Sequence, residues 1–189
     1  MPLSTLTALL LGLAALLAMI LAVLMVRRRS RLPAVKLNKC SRELLHQVLI
    51  PTGKQGEEAE IQLEYLLLCP RGIVVLNLKD IAGNVFGSDA MQEWAVITGK
   101  SRFGFSNPQD GLYDRIAAVK ALLPEVPVTG FIAFGRSASF TKGIPSHVVN
   151  FDELVDELAQ EMTQEIVKSK VIAYHDEWEK LKAVATPAL

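Results

Sequence analysis

The longest uncharged stretch of the chain constrains its architecture more than any other feature. Residues 6–26 form a run of twenty-one residues without a charge, in which Thr7 carries the only hydroxyl. A helix rises about 1.5 Å per residue, so this run can cross the roughly 30 Å hydrocarbon core of a bilayer. A buried core helix would need only about 10–14 apolar residues. The sequence therefore predicts a transmembrane helix over residues 5–26, preceded by a short tail over residues 1–4.

The charges that flank the run favour a retained anchor over a cleaved signal peptide. A signal peptide carries positive charge before an apolar region of about 7–15 residues and a small-residue cleavage site after it. Here the residues before the run are uncharged, and six basic residues follow within residues 27–39. Because such charges stay on the cytoplasmic side, we expect a single-pass cell-membrane protein with its N-terminus outside and its main domain cytoplasmic. Residues 27–39 would form a basic juxtamembrane tether beside the lipid headgroups.

The remainder of the chain is acidic. All twenty Asp and Glu residues lie at Glu43 or later, whereas only fourteen of the twenty Lys and Arg residues do, which leaves a net charge of about −6 from Cys40 onward. Domains that bind nucleic acid through its phosphate backbone usually carry the opposite charge. Cys40 and Cys69 have no CxxC or histidine partner at metal-ligand spacing, so we expect two free, buried thiols.

Two other signals were weighed and rejected. Residues 98–101, Thr-Gly-Lys-Ser, imitate the end of a phosphate-binding P-loop, but Trp94 stands where that motif needs another glycine. The three histidines are scattered without metal-ligand spacing, which favours ordinary surface or hydrogen-bonded histidines.

The hydrophobic pattern after the tether predicts a single α/β domain over residues 40–160 and a helical extension over residues 161–189. Short apolar segments separated by turn residues predict strands, and longer segments with apolar residues three and four apart predict helices. The predicted strands cover residues 44–50, 61–69, 73–79, 94–97, 128–134 and 147–149. The predicted helices cover residues 109–123, a long segment beginning at Asn150 or Asp152, and a last segment ending near residue 184.

One hairpin brings chemically useful side chains together. The segment Pro70-Arg71-Gly72 predicts a tight turn between the second and third strands. Folding about that turn places Glu64 opposite the neighbourhood of Asn77, and Lys79 shares a face with Asn77 because side chains alternate along a strand. An acid, an amide and a lysine at one end of a sheet could hold Mg²⁺ and stabilise phosphate charge. The simpler interpretation is a salt bridge between Glu64 and Lys79.

The hairpin and the features after it resemble a known family. Residues 61–80, IQLEYLLLCPRGIVVLNLKD, are similar to the core hairpin of the NERD (nuclease-related domain) family, which has a restriction-endonuclease-like PD-(D/E)XK fold. The resemblance covers roughly residues 44–160 and continues in order through Gly83, Trp94, Asn107, Pro108, the apolar strand ending in Phe134 and the helix that starts near Asn150. It implies an α/β fold with a mixed sheet flanked by helices, placed after the transmembrane helix.

The resemblance also implies a site, which this sequence keeps only in part. Glu64 stands where the family has a metal-binding aspartate, and Lys79 matches the family's lysine. Asn77 stands where the family has glutamate, and an amide brings no negative charge to a metal. Gly111 replaces an expected glutamine, with Gln109 two positions early. The acidic helix that precedes the first strand in the family is also missing.

Two functions follow from the resemblance and its departures. The first is a non-catalytic module that binds a nucleic acid or a protein, with the C-terminal helices as the expected protein-binding surface. The second is a Mg²⁺-dependent nuclease, with Glu64, Asn77 and Lys79 as catalytic residues, Glu64 and Asn77 as metal ligands, and Asp80 or Glu60 as a further ligand. A membrane-surface module is a weaker third hypothesis, because only the basic tether supports it.

Overall fold

The fold is described from a computed structural model that covers residues 3–56, 59–163 and 173–188. The side chains of residues 3–10, 14, 23 and 26–32 also lie outside the described part. The chain divides into two compact units, residues 1–36 and residues 37–189. Its elements are, in chain order, α1 (Leu3–Lys39), β1 (Glu43–Pro51), β2 (Glu60–Cys69), β3 (Gly72–Lys79), β4 (Gly83–Phe86), β5 (Glu93–Thr98), β6 (Ser101–Ser106), α2 (Pro108–Leu122), β7 (Val128–Phe134), β8 (Ala138–Ser139), β9 (Val148–Asn150), α3 (Phe151–Thr163), α4 (His175–Val184) and β10 (Thr186–Pro187).

The first unit consists of the greater part of α1. The sequence predicted a transmembrane helix over residues 5–26, and that range does lie within α1. Among the residues that the structure describes, however, no helix is both long and apolar enough to cross a membrane. Part of the predicted span falls on side chains outside the described residues.

The tether predicted over residues 27–39 is helical. The helix α1 continues through Pro33 to Lys39. Its end is fixed by Leu37, whose side chain is buried and whose carbonyl accepts hydrogen bonds from the backbone N–H of Cys40 at 3.1 Å and from Ser41 Oγ at 2.8 Å. These bonds satisfy a carbonyl that a helix end otherwise leaves without a partner.

The second unit is built on a six-stranded mixed sheet. Its strand order is β10-β1-β2-β3-β7-β9. The β2–β3 hairpin is antiparallel, as the Pro70-Arg71-Gly72 turn predicted, and β7 runs parallel to β3 because α2 carries the chain back to the same end of the sheet. β7 lies between β3 and β9, which agrees with its unbroken apolar sequence.

A second, four-stranded sheet has the order β6-β5-β4-β8. The sequence predicted only its β5 strand. The Thr-Gly-Lys-Ser segment at residues 98–101 connects β5 to β6 as a tight turn, in which Gly99 adopts a φ of +61°. A turn between two strands cannot cradle phosphate as a P-loop does, which supports rejection of that motif.

The helices cover the sheet where the sequence predicted them. Asn107 caps α2 by accepting a hydrogen bond of 2.9 Å from the backbone N–H of Gln109, and Pro108 occupies the first turn. Asn150 caps α3 by accepting 2.9 Å and 3.4 Å bonds from the N–H groups of Asp152 and Glu153. The predicted class, a mixed α/β sheet flanked by helices, is confirmed.

The C-terminal segment contributes to the core. Trp178 and Leu181 of α4 are fully buried within the same cluster as the strands, and β10 pairs with β1. The boundary that the sequence suggested at residue 160 falls inside α3. Cys40 and Cys69 are free and buried, as expected, and burial raises the pKa of the Cys40 thiol to about 11 and that of the Cys69 thiol to about 12.

Candidate functional site

The candidate site lies where β2 and β3 stop pairing with each other. Their antiparallel pairs run from the turn as far as Tyr65 and Leu76. Beyond these residues β2 stays paired with β1, while β3 stays paired with β7. We call residues 62–64 of β2 together with residues 77–79 of β3 the fork.

Glu64 bridges the two sides of the fork. Its Oε2 accepts a hydrogen bond of 2.8 Å from the backbone N–H of Leu78. Continuing the hairpin register by one pair places Glu64 across from Asn77 on the same face of the sheet. Burial raises the pKa of the Glu64 carboxyl, against the opposing effects of the Leu78 N–H and of the charges on Lys79 and Arg115.

Asn77 and Lys79 form the other side of the fork. The Asn77 Oδ1 atom is buried and has no hydrogen-bond partner among the described residues. Buried polar atoms are nearly always paired, so an orphaned oxygen marks an unused acceptor. Lys79 is half-buried, and its charge acts on Glu64. The structure thus brings Glu64, Asn77 and Lys79 onto adjacent strands, while their catalytic and metal-binding roles stay predictions.

Arg115 of α2 is a fourth member of the site, and the sequence did not predict it. Its Nε donates a hydrogen bond of 2.8 Å to the backbone carbonyl of Gln62, and its Nη1 donates one of 2.6 Å to the carbonyl of Gly111. Burial lowers the pKa of the Arg115 guanidinium, and the charges of Glu64 and Asp114 oppose that change. A guanidinium remains charged at any relevant pH, so the fork contains a second fixed cation beside Lys79.

Gly111 provides the space for that guanidinium. A Cβ at position 111 would lie 2.7 Å from Arg115 Nη1, which is closer than real side chains approach. The resemblance led us to expect a glutamine at this position. The glycine that stands there instead is the one local feature of the sequence that the structure connects with Arg115.

Comparison with known proteins assigns the chain to a family. The model of the nuclease-related domain family matches residues 26–135, which include the fork and Arg115. The chain belongs to the nuclease-related domain family. An uncharacterized protein of Bacillus anthracis is 24% identical over 124 residues, which make up 63% of this chain and 57% of that protein. No solved structure matches the chain.

The nuclease-related domain suggests a divalent metal, and the residues of the fork can be tested against it. The orphaned Asn77 Oδ1 would suit a cation. The fork, however, offers one carboxylate, Glu64, which already accepts the N–H of Leu78. Arg115 and Lys79 bring two positive charges to the same place. One carboxylate and one neutral amide beside two fixed cations do not fit Mg²⁺.

The two further acids proposed as ligands lie at the ends of their strands. Glu60 begins β2 and is exposed, opposite Pro51. It lines an open cleft of about 500 Å³ between the β1–β2 loop and α2, together with residues that include Lys54 and Asp114. Asp80 follows β3 and is also exposed. Neither belongs to the fork as defined.

Gln109, which lies two positions before the expected glutamine, forms hydrogen bonds away from the fork. Gln109 is buried, and its Nε2 donates hydrogen bonds of 2.7 Å to Asp89 Oδ1 and 2.8 Å to the backbone carbonyl of Ser146. The hydrogen bonds from Ser146 and Gln109 lower the pKa of the Asp89 carboxyl. Gln109 therefore connects two loops, and we infer no part for it in the fork.

A second group of polar residues joins α4 to β1. Glu43, His175 and Glu179 lie close enough for a metal ion, but Lys182 already lies between the carboxylates. Its Nζ is 2.9 Å from Glu43 Oε2 and 2.6 Å from Glu179 Oε1. The Lys182 hydrogen bond is the largest cause that lowers the pKa of the Glu43 carboxyl. The group is satisfied as an ion-pair network without a metal.

Proposed function

We propose that this nuclease-related protein is a non-catalytic binding module with a restriction-endonuclease-like core. The single observation that carries the proposal is Asn77: when the hairpin register is continued by one pair, this amide lies across from Glu64, where the resemblance leads us to expect a glutamate. Without that second carboxylate the fork lacks the negative charge that concentrates a divalent ion. Fold alone is no evidence of activity, because activity resides in the site.

The charge of the domain favours a protein as its partner. A net charge of about −6 from Cys40 onward opposes the phosphate backbone of a nucleic acid. The exposed face of α3 carries several of the acids, including Glu153, Asp156 and Glu157. A protein with a basic surface would complement this face. Nucleic acid is the other binding partner that the test below can detect.

We further propose that residues 5–26 anchor the chain in the cell membrane, with the domain on the cytoplasmic side. The proposal rests on the uncharged run and on the six basic residues that follow it. The apolar side chains described within α1 support it, because large ones such as Leu16, Leu17 and Met25 are exposed. Exposed apolar surface of this extent requires a lipid or a protein partner.

A metal-dependent nuclease is the competing function. Membership in the nuclease-related domain family and the presence of both Glu64 and Lys79 favour it. A substrate phosphate would then have to supply the metal ligands that the fork lacks.

Cleavage assays on the full chain in mild detergent separate the two functions. Labelled single- and double-stranded DNA and RNA are incubated with Mg²⁺ or Mn²⁺, beside the Glu64→Ala and Lys79→Ala variants. We expect no cleavage above the level of the two variants. Metal-dependent cleavage that both substitutions abolish would establish the nuclease instead. Gel-shift measurements on the same samples show whether uncleaved nucleic acid binds.

A further inference from the structure

At the fork, two side chains form hydrogen bonds with backbone groups of β2 and β3, which are no longer paired with each other. The N–H of Leu78 would face β2 if the hairpin ladder continued, and it donates instead to the Glu64 carboxylate at 2.8 Å. On the other side, the carbonyl of Gln62 accepts the Arg115 Nε at 2.8 Å. Arg115 therefore enters the fork from α2 and is held on the strand that carries Glu64, two residues away.

The chain is shaped to admit this guanidinium. Arg115 folds back along α2 onto the Gly111 carbonyl, and a Cβ at position 111 would lie 2.7 Å from its Nη1, so the guanidinium would have to shift if that position carried a side chain. A larger side chain at position 111 would therefore compete with Arg115 Nη1 for the same space.

The charged side chains at the fork carry an excess of positive charge, which disfavours a metal ion. Glu64 contributes one negative charge, which Arg115 and Lys79 outweigh, and Asn77 contributes none. In a half-buried site, charges interact far more strongly than in water. A divalent ion placed beside Glu64 would be repelled by two fixed cations and attracted by one carboxylate.

We propose that the Arg115 guanidinium, bound to the Gln62 carbonyl on the strand that carries Glu64, supplies positive charge to the fork and so disfavours a divalent cation there. This inference rests on the proposed non-catalytic function and gives it a physical cause. It makes Arg115 a positioning residue: it sets the charge state of the fork and does not act on a substrate.

A purely structural role for Arg115 predicts a different result. In a purely structural role, the hydrogen bond from Arg115 to Gln62 would only attach α2 to β2. Substitution of Arg115 would then lower stability and leave Mn²⁺ binding unchanged. The variant Arg115→Gln keeps a hydrogen-bond donor and removes the charge, whereas Arg115→Lys keeps the charge. Arg102→Gln, on the exposed strand β6, is the matched control for the substitution itself.

The measurement is Mn²⁺ binding by the full chain in detergent, followed by the electron paramagnetic resonance signal of free Mn²⁺. We expect the unaltered chain, Arg115→Lys and Arg102→Gln to bind with a Kd of about 1 mM or weaker. Arg115→Gln should bind roughly tenfold more tightly, because one fixed charge is gone. The double variant Glu64→Gln/Arg115→Gln should lose that gain, and Asn77→Glu/Arg115→Gln should increase it further.

The inference is overturned if Arg115→Gln folds and binds Mn²⁺ no more tightly than Arg102→Gln. It is also overturned if the unaltered chain binds Mn²⁺ with a Kd below about 0.1 mM and the Glu64→Gln substitution abolishes that binding. If Arg115→Gln does not fold, Mn²⁺ binding by the single variant Asn77→Glu tests the inference. Weak Mn²⁺ binding by that variant supports Arg115 as the charge that excludes the metal. Tight Mn²⁺ binding that depends on Glu64 refutes it. Nucleic-acid cleavage by the unaltered chain would overturn the proposed function, whereas Mn²⁺ binding without cleavage would overturn this inference alone.

Discussion

Glu64 is the residue whose ionisation costs the fold most directly, and its effect on stability depends on pH. Its pKa in the folded protein lies above the ordinary value of 4.5 because of burial. The folded state therefore holds the proton more tightly than the unfolded state does. The stability from this group is fully present below pH 4.5 and is lost as pH rises through the folded-state pKa.

Replacing Glu64 with glutamine should stabilise the protein at neutral pH. The amide keeps an acceptor for the Leu78 N–H and removes the buried charge. We expect the urea midpoint of Glu64→Gln to exceed that of the unaltered chain at pH 7 and to converge with it well below pH 4.5. Glu125→Gln, at an exposed glutamate, should leave the urea midpoint unchanged both at pH 7 and well below pH 4.5. A Glu64→Gln variant that is less stable at pH 7 would show that the cations of the fork need the carboxylate.

The site was predictable from sequence only where its residues are neighbours across a turn. Glu64 and Asn77 are almost equidistant from the turn, so counting residues along the hairpin places them together. Arg115 lies 53 residues from its partner Gln62, and its approach depends on how α2 crosses the sheet. No local pattern encodes that crossing. The one related feature of the sequence is Gly111, where the resemblance led us to expect a glutamine.

The β2–β3 hairpin that carries the site depends on close backbone packing at its turn. Gly72 adopts a φ of +114°, and a Cβ there would lie 2.1 Å from the backbone carbonyl oxygen of Pro127. That oxygen also accepts the N–H of Ile73 at 2.9 Å, so it cannot move away without breaking this bond. Gly143 has a similar φ of +107° but open space around its Cβ position.

We expect Gly72→Ala to lower the free energy of unfolding by about 2–4 kcal/mol, from backbone strain and a backbone clash together. Gly143→Ala should cost about 1 kcal/mol, because it introduces the strain alone. Urea denaturation of both variants measures the difference. Equal losses at the two positions would mean that the turn shifts to accommodate the methyl group.

The helix α4 is attached to the sheet by Glu43 of β1. Its Oε2 accepts hydrogen bonds of 2.9 Å from Trp178 Nε1 and from Lys182 Nζ. The lowered pKa of the Glu43 carboxyl means that its stabilisation is present above pH 4.5 and is lost as pH falls through the folded-state value. Glu43→Gln should lower the free energy of unfolding by about 1 kcal/mol at pH 7.

Tryptophan fluorescence during urea denaturation at pH 7 measures this loss. Glu177→Gln is the control, because it removes a surface pair with Lys180 within α4 alone and should cost less than about 0.5 kcal/mol. If both variants lose the same small amount, the contact between β1 and α4 contributes no more than a surface pair.

The elements that the sequence did not predict share a physical reason. β6 is exposed along almost its whole length, and its apolar alternation is limited to two residues, Phe103 and Phe105, which is too short to predict a strand. β8 and β10 have two residues each, too few for any periodicity. These three strands form because each can make backbone hydrogen bonds with the strand beside it at the edge of a sheet. The other five strands of the large sheet, by contrast, carry most of the apolar residues of the core and were predicted within a residue or two.

At the scale of the whole molecule, charge is divided between the two ends of the chain. Six basic residues lie within residues 27–39, and the acidic excess lies entirely after them. An anionic membrane surface would attract the first group and repel the second.

The anchor can be tested by adding charge to the middle of the uncharged run. An aspartate near the centre of a membrane-spanning helix costs about 2.5–3.5 kcal/mol, so Leu16→Asp with Leu17→Asp should cost about 5–7 kcal/mol. We expect the unaltered chain and the Leu16→Ala/Leu17→Ala control to stay in the membrane fraction after extraction with alkaline carbonate, and the aspartate variant to be released. Attachment through the basic residues 27–39 alone would be electrostatic and would not survive that extraction. Release of the unaltered chain would refute the anchor, and retention of the aspartate variant would show that these two residues lie outside the hydrocarbon core.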